Sequence, residues 1–253
     1  MQAPTQETYD ALRGMFDALN AQLFDGQLPS CLITLQRTAN VFGYFCRKRF
    51  ANGEGVQVDE IALNPEFFGT TPLLELLQTL AHEMCHMWQH HFGTPTRNGY
   101  HNQQWARKME SIGLMPSDTG RPGGKKTGQK VMDYAMPGGR FLAVAQQIIQ
   151  TKPPIWFDRQ PPYYAVLAGH MIGEGLASVP DRLDLAEQDA VQQDLQGVFA
   201  ELLATPELLE PKPKANRSNR VRYQCACGTR LWAKPDIRVS CDDCGQQFFA
   251  DES

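Results

Sequence analysis

Two histidines and a glutamate lie within five consecutive residues, as His82-Glu83-x-x-His86, in a stretch without a helix breaker. On a helix, residues four apart share one face with their Cβ atoms about 6 Å apart, so both imidazoles can bind one metal ion. Glu83 can polarise a water on that ion without ligating it. Incidental histidines are the alternative, but burying these groups without a partner would be costly. The pattern therefore predicts a hydrolytic zinc centre.

A catalytic zinc takes three protein ligands and leaves a fourth position open for water. His90 shares the face of His82 but would lie about 12 Å from it along the axis, which is too far for one ion. His91 faces elsewhere, and His170 has no supporting context. His101 follows a glycine-containing loop that can turn the chain back, so it is the favoured third ligand.

Four of the seven cysteines cluster near the C-terminus. Cys225 and Cys227 are separated by thirteen residues from Cys241 and Cys244, which is close to the two-knuckle pattern of a zinc ribbon. The first pair has one intervening residue instead of the usual two. We expect a structural zinc ion, because so small a module needs one to fold. A redox or disulfide pair is the alternative, but the first residues have no secretory signal and the number of cysteines is odd.

The chain must supply elements that hold these groups. Apolar residues at helical spacing and a clean start at Thr71 (N-cap) and Pro72 predict helices, while alternating β-branched and aromatic runs predict strands. The predicted helices are 6–24, 72–92, 101–112, 141–150 and 181–204. The predicted strands are 31–37, 41–50 and 56–63, with a turn at 52–55. We expect a long loop over 117–140 and a linker over 211–220.

The net charge of −4 conceals a basic segment: residues 212–238 hold eight basic residues and one acidic residue. Aromatic side chains lie among them, so phosphate pairing and base stacking are plausible chemistry. The alternatives are a solvated charged surface and, for Trp232 and Phe248, the core of the ribbon itself. The candidate nucleic-acid contacts, including two in a basic glycine-rich loop, are Arg217, Arg220, Arg222, Arg230, Trp232, Lys234, Arg238, Lys125 and Lys126.

Several segments together resemble the SprT-like metallopeptidases, which include the Spartan-type DNA–protein crosslink proteases. They are LFDGQLP (23–29), FGYF (42–45), IALNPEFF (61–68), LAHEMCHMWQHHFG (80–93) and YHNQQWARKMESIGLMPSDTG (100–120). The resemblance implies zinc ligation by His82, His86 and His101, Glu83 as the base, and proteins on DNA as substrates. Family members commonly end in a small zinc module, as this chain does. The resemblance weakens beyond residue 120.

The fold class that we expect is α+β: a zincin-like domain with a short sheet packed on the His-Glu-x-x-His helix, followed by a zinc ribbon. The expected domains are 1–120 (peptidase), 121–210 (an extension of uncertain role), 211–220 (linker) and 221–253 (ribbon), with two zinc ions per chain. We expect a cytoplasmic endopeptidase acting on DNA-associated proteins, possessing affinity for DNA and none for membranes. The alternatives are a DNA-binding scaffold with little turnover and a zinc peptidase indifferent to DNA.

Overall fold

The structure is a computed structural model that describes residues 3–97, 99–176, 206–212 and 220–250, with the backbone alone at 170–176 and 206. The chain divides into two compact units, Met1–Lys212 and Pro213–Ser253. The first unit mixes helices with two small sheets, and the described residues of the second unit form one small three-stranded sheet. Among the described residues, no helix combines the length and apolarity needed to cross a bilayer.

The larger sheet of the first unit contains β1 (Leu32–Leu35), β2 (Gly43–Ala51) and β3 (Gln57–Leu63). Its order is β1-β3-β2, with β1 parallel and β2 antiparallel to β3, so β2 is an edge strand. The predicted turn is confirmed: Gly55 N–H donates to the Asn52 carbonyl at 3.0 Å between the two antiparallel strands. The register shifts between Cys46 and Phe50, where Lys48 adopts a left-handed φ of 44°.

The predicted central helix is α2 (Leu73–Phe92), and it follows α1 (Pro4–Leu23) and the sheet. Its apolar face is buried: Leu74, Leu77 and Leu80 are fully inaccessible to solvent. The N-cap prediction at Thr71 is wrong by one residue. Pro72 occupies the cap with an extended ψ of 151°, while the Thr71 hydroxyl donates to the Phe67 carbonyl at 2.9 Å.

The predicted loop over 117–140 contains a strand. Helix α3 (Gln103–Ile112) ends at Gly113, whose left-handed φ of 96° turns the chain directly into β4 (Leu114–Ser117). β4 pairs antiparallel with β5 (Met132–Ala135), which the sequence analysis missed because its four residues are bordered by polar and glycine-rich segments. Helix α4 (Arg140–Gln150) follows, as predicted.

A further helix, α5 (Tyr163–Leu176), was not predicted, because three glycines within it weaken its helical propensity. The predicted helix 181–204 lies outside the described residues. The hydrophobic core draws on all four preceding helices, through residues such as Phe16, Leu77, Trp105 and Phe141. It therefore continues past residue 120, while the domain boundaries named above stay predictions.

The second unit is built on the hairpin of β6 (Val221–Gln224) and β7 (Arg230–Ala233), with β8 (Phe249–Ala250) pairing with β6. Tyr223 is buried, and its hydroxyl donates to the Lys234 carbonyl at 3.2 Å. Trp232 is 60% exposed, so it does not form the core of this unit. Most of the predicted linker, 213–219, lies outside the described residues.

Candidate metal centre

His82 and His86 project from one face of α2, and His101 meets them from the segment that precedes α3. His101 is held there by backbone pairing with Gly128, in which each residue donates to the carbonyl of the other. Nε2 of His101 lies 3.2 Å from Nε2 of His82 and 3.1 Å from Nε2 of His86. Nitrogens bound to one tetrahedral zinc at about 2.0–2.1 Å lie about 3.3 Å apart. The three imidazoles therefore have the spacing of a ligand set.

The partners at Nδ1 fix the tautomers of two of these rings. His82 Nδ1 lies 2.9 Å from Oδ2 of Asp133, and His101 Nδ1 lies 3.2 Å from the Gly128 carbonyl oxygen. Both contacts place the imidazole proton on Nδ1, so the Nε2 lone pairs point at each other. Two nitrogen lone pairs that face each other at 3.2 Å repel unless a cation lies between them. Three imidazole nitrogens are a ligand set that fits zinc.

Burial and mutual repulsion keep two of the imidazoles neutral. Burial, reinforced by the charge of His82, lowers the pKa of His101 to about 4. The same two causes, with His101 added, hold the pKa of His86 well below its usual range. Burial also acts to lower the pKa of His82, but the hydrogen bond to Asp133 and the Glu83 charge outweigh it and raise that pKa. Neutral imidazole is the form that ligates a metal.

Asp133, on β5, is the site residue that the sequence analysis missed. Its side chain is 7% exposed, and its Oδ1 has no hydrogen-bond partner among the described residues. Metal-binding histidines commonly donate their second N–H to a carboxylate, so such a partner could have been expected. Which carboxylate would serve depended on β5, and that strand was not predicted.

Glu83 lies next to the histidines but faces the sheet. Its side chain is buried and forms a hydrogen bond with the backbone of Phe45 on the edge strand β2. Burial raises the pKa of Glu83, and the hydrogen bond and the charge of His82 only partly offset this rise. A carboxylate with raised proton affinity is suited to accept a proton near neutral pH.

The ring of Trp105 packs against all three imidazoles. Its ring centroid lies 4.8 Å from that of His82, 5.2 Å from that of His86 and 4.3 Å from that of His101. It is fully buried in the core. Its packing limits the rotation of all three rings.

His90 and His91 do not belong to this group. His90 and His91 lie farther along α2, where their ring atoms group with Asp59. The side chain of His170 lies outside the described residues.

The four C-terminal cysteines also converge. Their sulfur atoms lie within 4.8 Å of one another, with Cys225 Sγ 3.2 Å from Cys244 Sγ and Cys227 Sγ 3.7 Å from Cys241 Sγ. Zinc–thiolate bonds of about 2.3 Å place sulfurs about 3.8 Å apart. The hydrogen bond with the Thr229 hydroxyl lowers the pKa of Cys227 to about 6, which favours thiolate there, while burial and hydrogen bonds among the thiols raise the pKa of Cys225 and of Cys241. This group is compatible with a zinc ribbon.

The candidate nucleic-acid contacts fall into two separate sets. Lys125 and Lys126 lie in the first unit, where Lys126 Nζ pairs with Glu110 Oε1 at 2.8 Å. Arg217 lies outside the described residues. The remaining candidates lie on or beside the hairpin of the second unit, mostly with exposed side chains: Arg220, Arg222, Arg230, Trp232, Lys234 and Arg238.

Comparison with known proteins gives one family. The SprT-like family model matches residues 12–123, a span that contains all of α2 and His101. A Salmonella typhimurium protein described as an uncharacterized protein in the mucB 3′ region is 52% identical over 59 residues, which cover 23% of this chain and 80% of that relative. No solved structure matches the chain. The chain therefore belongs to the SprT-like family, and its three converging imidazoles and buried glutamate lie inside the matched span.

Proposed function

We propose that the chain is a zinc-dependent endopeptidase of zincin-like fold that acts on proteins associated with or crosslinked to DNA. The observation that carries the peptidase proposal is the convergence of three Nε2 lone pairs beside Glu83, with Asp133 behind His82. His82, His86 and His101 would hold the ion. Zinc there would lower the pKa of a water molecule and polarise the scissile carbonyl.

The residues of the chain supply the remaining chemistry. Glu83 accepts a proton from the attacking water as the new C–O bond forms, and it then delivers that proton to the amide nitrogen as the C–N bond breaks. Asp133 holds His82 in the ligating tautomer, and Gly128 does the same for His101. Among the described strands β2 pairs only with β3, and its Phe45 backbone bonds to Glu83. An extended substrate backbone could therefore add as a further strand along the outer edge of β2 near Glu83.

The DNA-related part of the proposal rests on family likeness and on charge. Exposed cations in the second unit suit phosphates, and the exposed ring of Trp232 suits stacking on an unpaired base. The four cysteines would hold a structural zinc that folds this unit, giving two zinc ions per chain together with the catalytic one.

The test compares cleavage of one protein substrate free and crosslinked to DNA, with and without single-stranded DNA, by the wild type and by Glu83→Gln. We expect DNA-stimulated cleavage by the wild type and none by the variant. Equal cleavage of free and crosslinked substrate, unaffected by DNA, would indicate a peptidase indifferent to DNA. Binding of DNA without cleavage by either protein would indicate a scaffold and refute the enzyme.

A further inference from the structure

A second group of metal-ligating side chains lies at the C-terminal end of α2. His90 and His91 meet Asp59 of β3, and one ligand atom from each lies within 4.8 Å of the others. His90 follows His86 by four residues, which is about 6 Å along the helix axis. The group is therefore separate from the three imidazoles of the proposed catalytic centre.

Asp59 is placed for this group by the sheet. It alternates with Ile61 and Leu63 on the face of β3 that carries fully buried apolar side chains, and it is itself buried. Its Oδ1 accepts a 2.7 Å hydrogen bond from the N–H of Lys48 at the bulge of β2. Its Oδ2 is left facing the helix, 2.6 Å from Nε2 of His91. A buried carboxylate on an apolar face needs such compensation.

His90 completes the group from the adjacent helix position. Its ring lies with its centroid 4.9 Å from that of His91 and 6.0 Å from that of Phe45. Partial burial, followed by the charge of His91, lowers the pKa of His90, while Asp59 opposes the change. Neutral His90 offers a ring nitrogen lone pair, for which the structure gives no donor among the described residues. Nearby Arg47 and Lys48 also lower its pKa, and their charges would weaken cation binding without blocking the ligand atoms.

We propose that Asp59, His90 and His91 bind a further divalent transition-metal ion of the zinc class. Two imidazole nitrogens and one carboxylate oxygen form a borderline ligand set that suits zinc, cobalt, nickel and copper rather than magnesium or calcium. The ion would connect the end of the catalytic helix to the central strand of the sheet. With three protein ligands and nearby positive charge, it binds more weakly than the four-cysteine site.

The test is a zinc count on the full, tag-free chain after equilibrium dialysis against micromolar zinc. We expect His90→Ala to hold one ion fewer than the wild type, because the change removes one of the three ligands. The His91–Asp59 hydrogen bond stays in place, so the variant should remain folded. Asp59→Asn, which keeps the acceptor for Lys48, should lose the same ion. Glu54→Gln, at an exposed turn residue that belongs to none of the candidate metal groups, is the control and should equal the wild type.

Thermal unfolding gives a second readout that does not depend on peptide cleavage. Added zinc should raise the unfolding temperature of the wild type more than that of His90→Ala. Equal zinc counts and equal zinc-induced shifts in wild type and His90→Ala would overturn the proposal. Because neither measurement uses peptidase activity, this result would leave the proposed function untouched.

Discussion

Asp133 provides the sharpest test of how the candidate centre is built. Its Oδ2 accepts a 2.9 Å hydrogen bond from Nδ1 of His82, and both side chains are largely shielded from solvent. A hydrogen bond to a charged group contributes about 1.5–3 kcal/mol, and a neutral one about 0.5–1.5 kcal/mol. Asp133→Asn retains an acceptor of the same shape but loses the charge. It should therefore cost about 1–1.5 kcal/mol of zinc binding, or about tenfold in affinity.

Asp133→Ala removes the acceptor as well and leaves the Nδ1 proton of His82 buried without a partner. Removal of such an outer partner costs up to about 100-fold in metal affinity. Zinc affinity is measured by competition with a chromophoric chelator, and near-ultraviolet circular dichroism verifies the fold. The control is Asp118→Asn, at an exposed aspartate whose Oδ1 accepts a hydrogen bond from the Lys125 N–H. Wild-type affinity in Asp133→Asn, or no further loss in Asp133→Ala, would show that Asp133 does not support zinc binding by His82.

Three further predictions concern Glu75, Gly113 and Cys241. Burial, with the charge of Asp133 added, raises the pKa of Glu75 from 4.5 to about 8. Between these pH values the folded chain keeps a proton that the unfolded chain has released, so the free energy of unfolding should fall with rising pH by up to about 1.4 kcal/mol per pH unit. Urea titrations from pH 5 to pH 8 should show a shallower fall for Glu75→Gln than for the wild type, and parallel curves would contradict this. At Gly113, φ is 96° and an added Cβ would lie 2.8 Å from the Arg140 nitrogen. Gly113→Ala should therefore destabilise the fold by about 1–3 kcal/mol in the same assay. Gly14→Ala is the control and should be neutral or stabilising, because a Cβ added there meets nothing within 4 Å. Similar values for the two variants would be inconsistent with strain at Gly113. Cys241→Ser should lose one zinc per chain by elemental analysis and expose 221–250 to protease, and an unchanged zinc content would exclude ligation by Cys241.

The sequence was most informative where periodicity and chemistry coincide. The spacing of His82 and His86 predicts one face of a helix, and α2 has both side chains there. The preference for His101 came from the loop before it, and the structure brings its Nε2 to the pair. Its backbone pairing with Gly128 is a long-range contact that no local pattern encodes.

The parts that were missed depend on tertiary contacts. β5 is four residues long and is stabilised by pairing with β4, so its own composition does not identify it as a strand. Asp133 could not be assigned to His82 without that strand. Tyr223, rather than Trp232, fills the interior of the small second unit. The two aromatic residues lie on adjacent strands, and the sequence alone does not show which of them is buried.

The most direct test of the central claim measures zinc content and hydrolysis of an unfolded protein substrate on the same preparations of wild type, Glu83→Gln and Glu54→Gln. Glu54 lies exposed in the turn between β2 and β3 and serves as the matched control. We expect Glu83→Gln to keep all of its zinc and to lose at least about 100-fold in turnover, the lower range for removal of a general base. Glu54→Gln should behave as wild type. Undiminished hydrolysis by zinc-replete Glu83→Gln would show that Glu83 is not the base.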